Sequence, residues 1–254
     1  MVNWIGLWTL IKREFKRLMM IINQALWPPM ISTLLYFFIF GLGLGSRIQT
    51  VDGVPYLFFL VPGLVAMNVI DTSYSETSAS LFNTRFTNSI QEVLVAPLSY
   101  VEMVMGFVVG AMVRALLIGN LLMVIGWLFT GAHPTNWGLY ALMIGVVSAG
   151  FSGLGLILGL FAETFDQLAI PTTFFITPLV YFGGVFTSIH FLPERVQPFV
   201  KVNPLFYLID GFRASVTGRF EASLGADLAV AIGFAAITLT TAVMLFQRGF
   251  KLRT

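Results

Sequence analysis

The chain has 254 residues, 57% hydrophobic and only 10% charged, where a soluble domain carries about 25% charged residues. That deficit excludes an ordinary soluble protein and points to a bilayer, while a net charge of +2 with dispersed basic residues excludes a nucleic-acid footprint. The absence of cysteine excludes disulfides and thiolate metal sites, and the two histidines, His133 and His190, fall in short connections between apolar runs.

Within residues 1–19, Trp4, Leu7, Trp8, Ile11, Phe15 and Leu18 recur at helical spacing, with Lys12, Arg13, Lys16 and Arg17 on the other face. The charges follow the apolar stretch instead of preceding it, so the segment does not read as a cleavable signal. It reads as an amphipathic helix lying in the membrane interface, tryptophans at the headgroups and bases toward anionic lipid. A soluble leader packed on a partner is the alternative.

A crossing helix needs about 20 mostly apolar residues. Six stretches qualify: 21–45, 56–79, 101–130, 137–161, 168–189 and 228–247. The first contains Trp27-Pro28-Pro29, and proline removes a backbone donor, so a break is expected there. With the N-terminus inside, the cytoplasmic bases are Lys12, Arg13, Lys16, Arg17, Arg85, Arg248, Lys251 and Arg253, against Arg47, Arg195, Lys201, Arg213 and Arg219 outside. This excess places both termini in the cytoplasm. No long hydrophilic insertion interrupts the pattern, which predicts an all-α integral membrane protein forming one transmembrane domain over 1–254.

The chemistry of an enzyme is missing. The glycine-rich stretch at 41–46 lacks the lysine of a phosphate loop, no H-E-x-x-H occurs, and no histidine stands beside a serine or carboxylate. The intramembrane charges carry more information. Arg114 lies about 18 Å into the third span at 1.5 Å per residue, where an unpaired charge costs on the order of 2.5–3.5 kcal/mol. Asp71 and Glu76 are the acids nearest in depth, and Glu163 and Asp166 bracket the fourth-to-fifth connection. These residues form either a polar relay toward a translocation route or an inter-helix ion pair that fixes packing. An ion-coupled secondary carrier using Asp71, Arg114 and Glu163 is a competing function, and a membrane-embedded lipid-modifying enzyme or scaffold a more distant one. Gly106 and Gly110, and Gly155 and Gly159, permit close helix approach within or between subunits.

Two segments exceed what a plain bundle needs. In the loop at 80–100, Ser89-Ile90-Gln91-Glu92 fits the S-x-x-E capping box, and Pro97 ends the helix at Ala96. So short a helix is unstable alone and must pack on lipid, its own bundle or another protein. At 187–218, Pro193-Glu194 suits a helix first turn and Asn203-Pro204 a second helix start. This gives a pair of helices dipping into, or resting on, the outer leaflet.

The order of these parts resembles the ABC-2 type permeases, the membrane subunits of one class of ATP-binding-cassette exporters. The resemblance rests on "FLVPGLVAMNVI" (59–70), "NSIQEVLVAPLS" (88–99), "FAETFDQLAIPTTFFITPLVYFGGVF" (161–186) and "LPERVQPFVKVNPLFYLIDGFR" (192–213), and is closest to the YadH-type branch. It implies a homodimer in the bacterial inner membrane, driven by two copies of a separate ATPase subunit that binds the ATP and Mg. No cofactor is expected in this chain. The cargo would be amphipathic, hydrophobic or lipid-linked. The resemblance assigns a coupling helix to the second-to-third loop, with Asn83, Arg85, Phe86, Asn88, Ser89, Ile90, Gln91, Glu92, Leu94 and Pro97 as its functional residues. The basic helix becomes a second ATPase contact, and the 187–218 segment the outer re-entrant helices. Pro62, Met67, Phe174, Phe175, Tyr181 and Phe186 become candidates to line the path.

Overall fold

The computed structural model describes residues 3–44, 50, 51 and 53–252; Arg47 and Arg253 of the charge count lie outside the described residues. Among the described residues the fold is all-α apart from a hairpin of two two-residue strands. Helix α1 (Trp4–Met20) is followed by α2 (Ile22–Phe38), which runs into a π-helical end at 39–44. Strands β1 (Thr50–Val51) and β2 (Val54–Pro55) pair antiparallel, Val51 opposite Val54, and lead into α3 (Tyr56–Phe86). Then come α4 (Ile90–Val95), α5 (Tyr100–Thr130) and α6 (Trp137–Phe161). Helices α7 (Phe165–Pro171) and α8 (Thr177–Phe182) are joined through a π-helical segment at Thr172–Ile176. A 3-10 turn (Ile189–Phe191), α9 (Gln197–Val202), α10 (Pro204–Thr217) and α11 (Leu224–Gln247) complete the order.

Among the described residues, α3, α5, α6 and α11 are each long and apolar enough to cross a membrane, and the α1–α2 pair, bent by 63°, meets the same measure together as a broken span or a re-entrant loop. Local chemistry sets their ends. Asn136 and Ser223 cap α6 and α11 through side-chain oxygens that accept from Leu139 N and Ala226 N. Gly131, at φ +74°, ends α5 in a left-handed turn open to glycine at little cost. Helix α3 sits at the centre: 67% of its most apolar stretch is buried, against 22% for α11 at the edge. It packs on α5 and α6 through Leu60, Val65, Ile70 and Tyr74, meeting Ile118, Leu122, Ile144 and Phe151 in the main core.

Gly155 and Gly159 lie where a Cβ would run into Thr77 and Ser78 of α3, and Gly106 and Gly110 where it would run into Leu10 and Glu14 of α1. Both glycine pairs are therefore spent on close approach inside one subunit. Helix α1 runs along the first half of α5, burying Leu10, Glu14 and Leu18 against it and exposing Trp4, Trp8 and Phe15.

Several local expectations are corrected. The break in the first hydrophobic stretch is at Ile21, and Pro28 and Pro29 lie inside α2. A proline disturbs the carbonyl four residues before it, here those of Gln24 and Ala25, so its effect falls on the N-terminal side of the ring. The expected capping box at Ser89 does not form. Ser89 has helical angles (φ −72°, ψ −8°), not the extended conformation of a cap, and its hydroxyl donates to Thr84 O. The box forms ten residues later, where Ser99 Oγ accepts from Glu102 N and Glu102 returns to Ser99 N. The stretch expected as a span over 168–189 is helical over 165–182, its α-helix broken after Pro171 by the π-helical segment. Pro193 precedes a turn, and α9 starts at Gln197 with Pro198 in its first turn; Asn203, as expected, caps α10 by accepting from Leu205 N.

Candidate functional site

Three features stand out, two of them at the end of the bundle that carries α4. The first is a buried charge cluster joining α1, α3 and α5. Glu76 of α3 receives both Arg17 and Arg114. Arg17 also pairs with Glu14 at 3.0 Å, Arg13 pairs with the other Glu14 oxygen at 3.0 Å, and Ser80 Oγ donates to Glu14 Oε2 at 2.7 Å. Both carboxylates are buried, so each would be costly without cationic partners. The alternating arrangement of acid and base solves the placement of Arg114, which alone would be unpaired deep along α5. Of the two acids expected near Arg114, Glu76 makes the contact, whereas Asp71 is exposed. Glu163 pairs instead with Lys251 at 3.1 Å, and Asp166 is exposed. Sequence reading passed over Glu14. Its signal was positional: a lone acid amid four bases, four residues from both Leu10 and Leu18.

The second feature is α4 and its surroundings. Ile90 and Val93 are buried with Leu10, Met103, Val104 and Phe107, so the short helix is held by its own bundle. Burying two such side chains contributes roughly 1.5–3 kcal/mol each, which offsets its poor intrinsic stability. The opposite face is free: Gln91, Glu92 and Val95 are exposed, Val95 at 85%. Asn83, Phe86, Asn88 and Pro97 are exposed too, while Ser89 and Leu94 are half-buried. Arg85, like Ile90, is buried, its guanidinium against carbonyls at the end of α6. Asn3 joins α1 to the α4–α5 connection, its amide side chain donating to Pro97 O at 3.0 Å and its main-chain N–H to Glu102. In α1, Lys12 and Lys16 are exposed, and Arg13 lies over the Phe107 ring at 5.6 Å. A groove of about 330 Å³ between α1 and α4 is lined by Leu10, Arg13, Glu92, Val93 and Leu98.

The third feature is a polar line on α3. Asp71 and Ser75 are exposed and Asn68 half-buried, at the i, i+3, i+7 spacing of one face, on a helix whose other exposed residues, Asn83 and Phe86, lie in its last turn. Beside it, Tyr74 of α3 donates to Leu168 O of α7 at 3.0 Å. Phe174 and Phe175, in the segment after α7, are exposed. Toward the other end, Tyr181 contacts Tyr36 through their hydroxyls at 3.2 Å, and Phe186 stacks on Phe40 at 4.7 Å and meets Tyr181 edge-on at 5.3 Å. Met67 is half-buried, and Pro62 is buried inside α3, away from any open surface.

That far end is closed by buried polar contacts. Arg213 lies over Phe59 at 3.7 Å and donates to Gly184 O at 2.6 Å and Glu221 at 2.8 Å. Asp210 accepts from Glu221 N and Ala222 N, and Asn203 donates to Leu179 O at 2.6 Å. Among the described residues, no three histidine, cysteine or carboxylate side chains are grouped to hold a metal.

The sequence profile of the ABC-2 type transporter family matches residues 6–217. The chain is 38% identical over 251 residues to the inner membrane transport permease YadH of Escherichia coli (strain K12), covering 99% of this chain and 98% of that one. It is 26% identical over 250 residues to nodulation protein J of Rhizobium meliloti (strain 1021), covering 97% and 93%. To nodulation protein J of Rhizobium leguminosarum bv. trifolii it is 28% identical over 222 residues, covering 86% and 82%.

Proposed function

We propose, from the premise that this chain belongs to the ABC-2 type transporter family and is a membrane subunit of an ABC transporter, that it works as one half of a homodimeric exporter driven by a separate ATPase. The observation that carries the reading is α4, anchored on its own bundle by Ile90 and Val93 while Gln91, Glu92 and Val95 face outward. A six-residue helix so placed is a docking element: rigid from behind and open in front.

In this reading the α4 end is cytoplasmic, as are both termini, in the inner membrane that the relative's name specifies. Six crossings per subunit are α2, α3, α5, α6, the broken α7–α8 unit and α11. The exposed tryptophans of α1 meet lipid, and Lys12 and Lys16 are available to the ATPase or to anionic headgroups. Two copies of the ATPase bind ATP and Mg and dock on α4 of each permease.

The path runs between the two permeases. A line of Asn68, Asp71 and Ser75 inside the bilayer is poorly suited to hydrocarbon, and a two-fold partner covers it while leaving a wetted route. Phe174, Phe175, Tyr181 and Phe186 give that route apolar walls, suited to an amphipathic, hydrophobic or lipid-linked cargo. The cluster of Glu14, Arg17, Glu76 and Arg114 ties α1 to α3 and α5, so motion at the ATPase face reaches the path-lining helix. Movement of α4 on ATP binding then biases an inward–outward equilibrium.

Co-purification tests the reading. Wild-type chain is expected to retain an ATPase subunit in mild detergent, and Glu92→Lys with Val95→Asp to lose it while the bundle stays monodisperse. If the purified chain alone, in sealed vesicles, moved cargo down an ion gradient, the reading would fail.

A further inference from the structure

Arg85 lies in the last turn of α3, the place where a basic side chain is ordinarily solvated, yet it is only 9% exposed. Its Nη1 donates to the carbonyls of Gly159, Leu160 and Ala162 at 2.9, 3.1 and 3.3 Å. The first two belong to the last turn of α6, whose carbonyls lack partners within the helix and form its negative end. The third is the residue that caps α6. Nη1 shares its two N–H groups among the three carbonyls, so one cationic nitrogen holds the end of α6 and its cap together.

Aromatic contacts reinforce the joint. Phe165, the first residue of α7, meets Phe82 of α3 edge-on at 4.5 Å and Phe86 at 5.9 Å. The end of α3, the end of α6 and the start of α7 thus converge on one point. Helix α4 leaves that point after three residues, through Asn88 in the left-handed region (φ +57°), and Ser89 Oγ reaches back to Thr84 O at 3.3 Å. So tight a corner gives α4 little freedom to move without the end of α3.

We propose that Arg85 is a positioning residue that fastens the α3–α4 corner to the α6–α7 turn, so that a displacement imposed on α4 is passed to α7 and the broken segment after it. It acts through main-chain carbonyls of α6 and makes no contact with the ATPase. The inference rests on the reading of α4 as the docking element.

The chain has no cysteine, so pairs of introduced cysteines can carry spin labels at unique sites. Two pairs share a reference at the start of α11: Gln91→Cys with Leu224→Cys reports on α4, and Asp166→Cys with Leu224→Cys reports on the α6–α7 turn. All three positions are exposed. Distances are measured within one labelled subunit, diluted with unlabelled chain, in the complex with the ATPase before and after ATP binding. Both pairs are expected to shift in wild type. In Arg85→Met, which keeps an apolar stem but has no donor for the three carbonyls, the α4 pair still shifts and the shift of the α6–α7 pair is lost.

The proposal is overturned if the α6–α7 pair shifts equally in Arg85→Met and wild type, or if it does not shift in wild type although α4 does. Should wild-type chain capture no ATPase, the docking reading fails on its own account. The fastening is then read in the chain alone from Gln91→Cys with Asp166→Cys: a narrow distance distribution that broadens in Arg85→Met supports it, and equal widths overturn it.

Discussion

Glu76 is the residue on which three helices turn. It takes a guanidinium from α1 and another from α5, and Arg114 is the more covered of the two, whereas Arg17 also pairs with Glu14. Glu76→Gln is therefore expected to lower stability by about 3–5 kcal/mol, the cost of breaking a buried pair from one side, read as a fall in thermal midpoint in detergent. Adding Arg114→Gln should recover part of that loss, because it removes one of the charges left behind; no recovery would mean that the pair is not energetically coupled. Much of this was legible from sequence. Arg114 demanded a partner and Glu76 stood at the right depth. The linking role of Arg17 was not legible, because it depends on α1 running along α5, and Glu14 showed only its position among four bases.

At the scale of elements, two S-x-x-E stretches ten residues apart make the same promise, and only one keeps it. Ser99 enters α5 from extended backbone and Glu102 also takes the Asn3 amide, whereas Ser89 follows a left-handed corner that turns its hydroxyl back toward α3. Ser99→Ala should accordingly cost about 1 kcal/mol, the usual worth of an N-cap, and Ser89→Ala much less; equal losses in thermal unfolding would contradict the assignment. The seat of α1 gives a second expectation at this scale. A side chain at Gly110 would strike the Glu14 stem, so Gly110→Leu should displace α1 and cost at least the ~1–3 kcal/mol of an overpacked contact. Faster proteolysis after the Lys12–Arg17 cluster checks it, and unchanged protection would refute it. Long apolar runs announced their helices well because twenty residues average out local exceptions. The bend at Ile21 and the late start of α9 escaped because proline marks where a helix is difficult, not where packing will bend it.

For the molecule as a whole, the central claim is that this permease is moved from its α4 face by an ATPase it does not itself contain. The polar line of Asn68, Asp71 and Ser75 on α3 and the outward face of α4 are the two surfaces to which the proposal assigns partners. The first was missed in sequence because Asp71 was weighed with the other charges, Glu76, Arg114 and Glu163, and not with its neighbours at i−3 and i+4. The second was half-read: the short helix was found, but Arg85 was set among its surface residues when packing turns it inward. The most direct measurement isolates the tagged chain from its native membranes in mild detergent, identifies the subunits bound to it, and assays ATP hydrolysis. The account predicts a bound polypeptide carrying a phosphate-loop motif, with ATP hydrolysis that disappears together with that subunit in Glu92→Lys with Val95→Asp. A stable chain free of any nucleotide-binding subunit, or equal capture by wild type and the double variant, would contradict it.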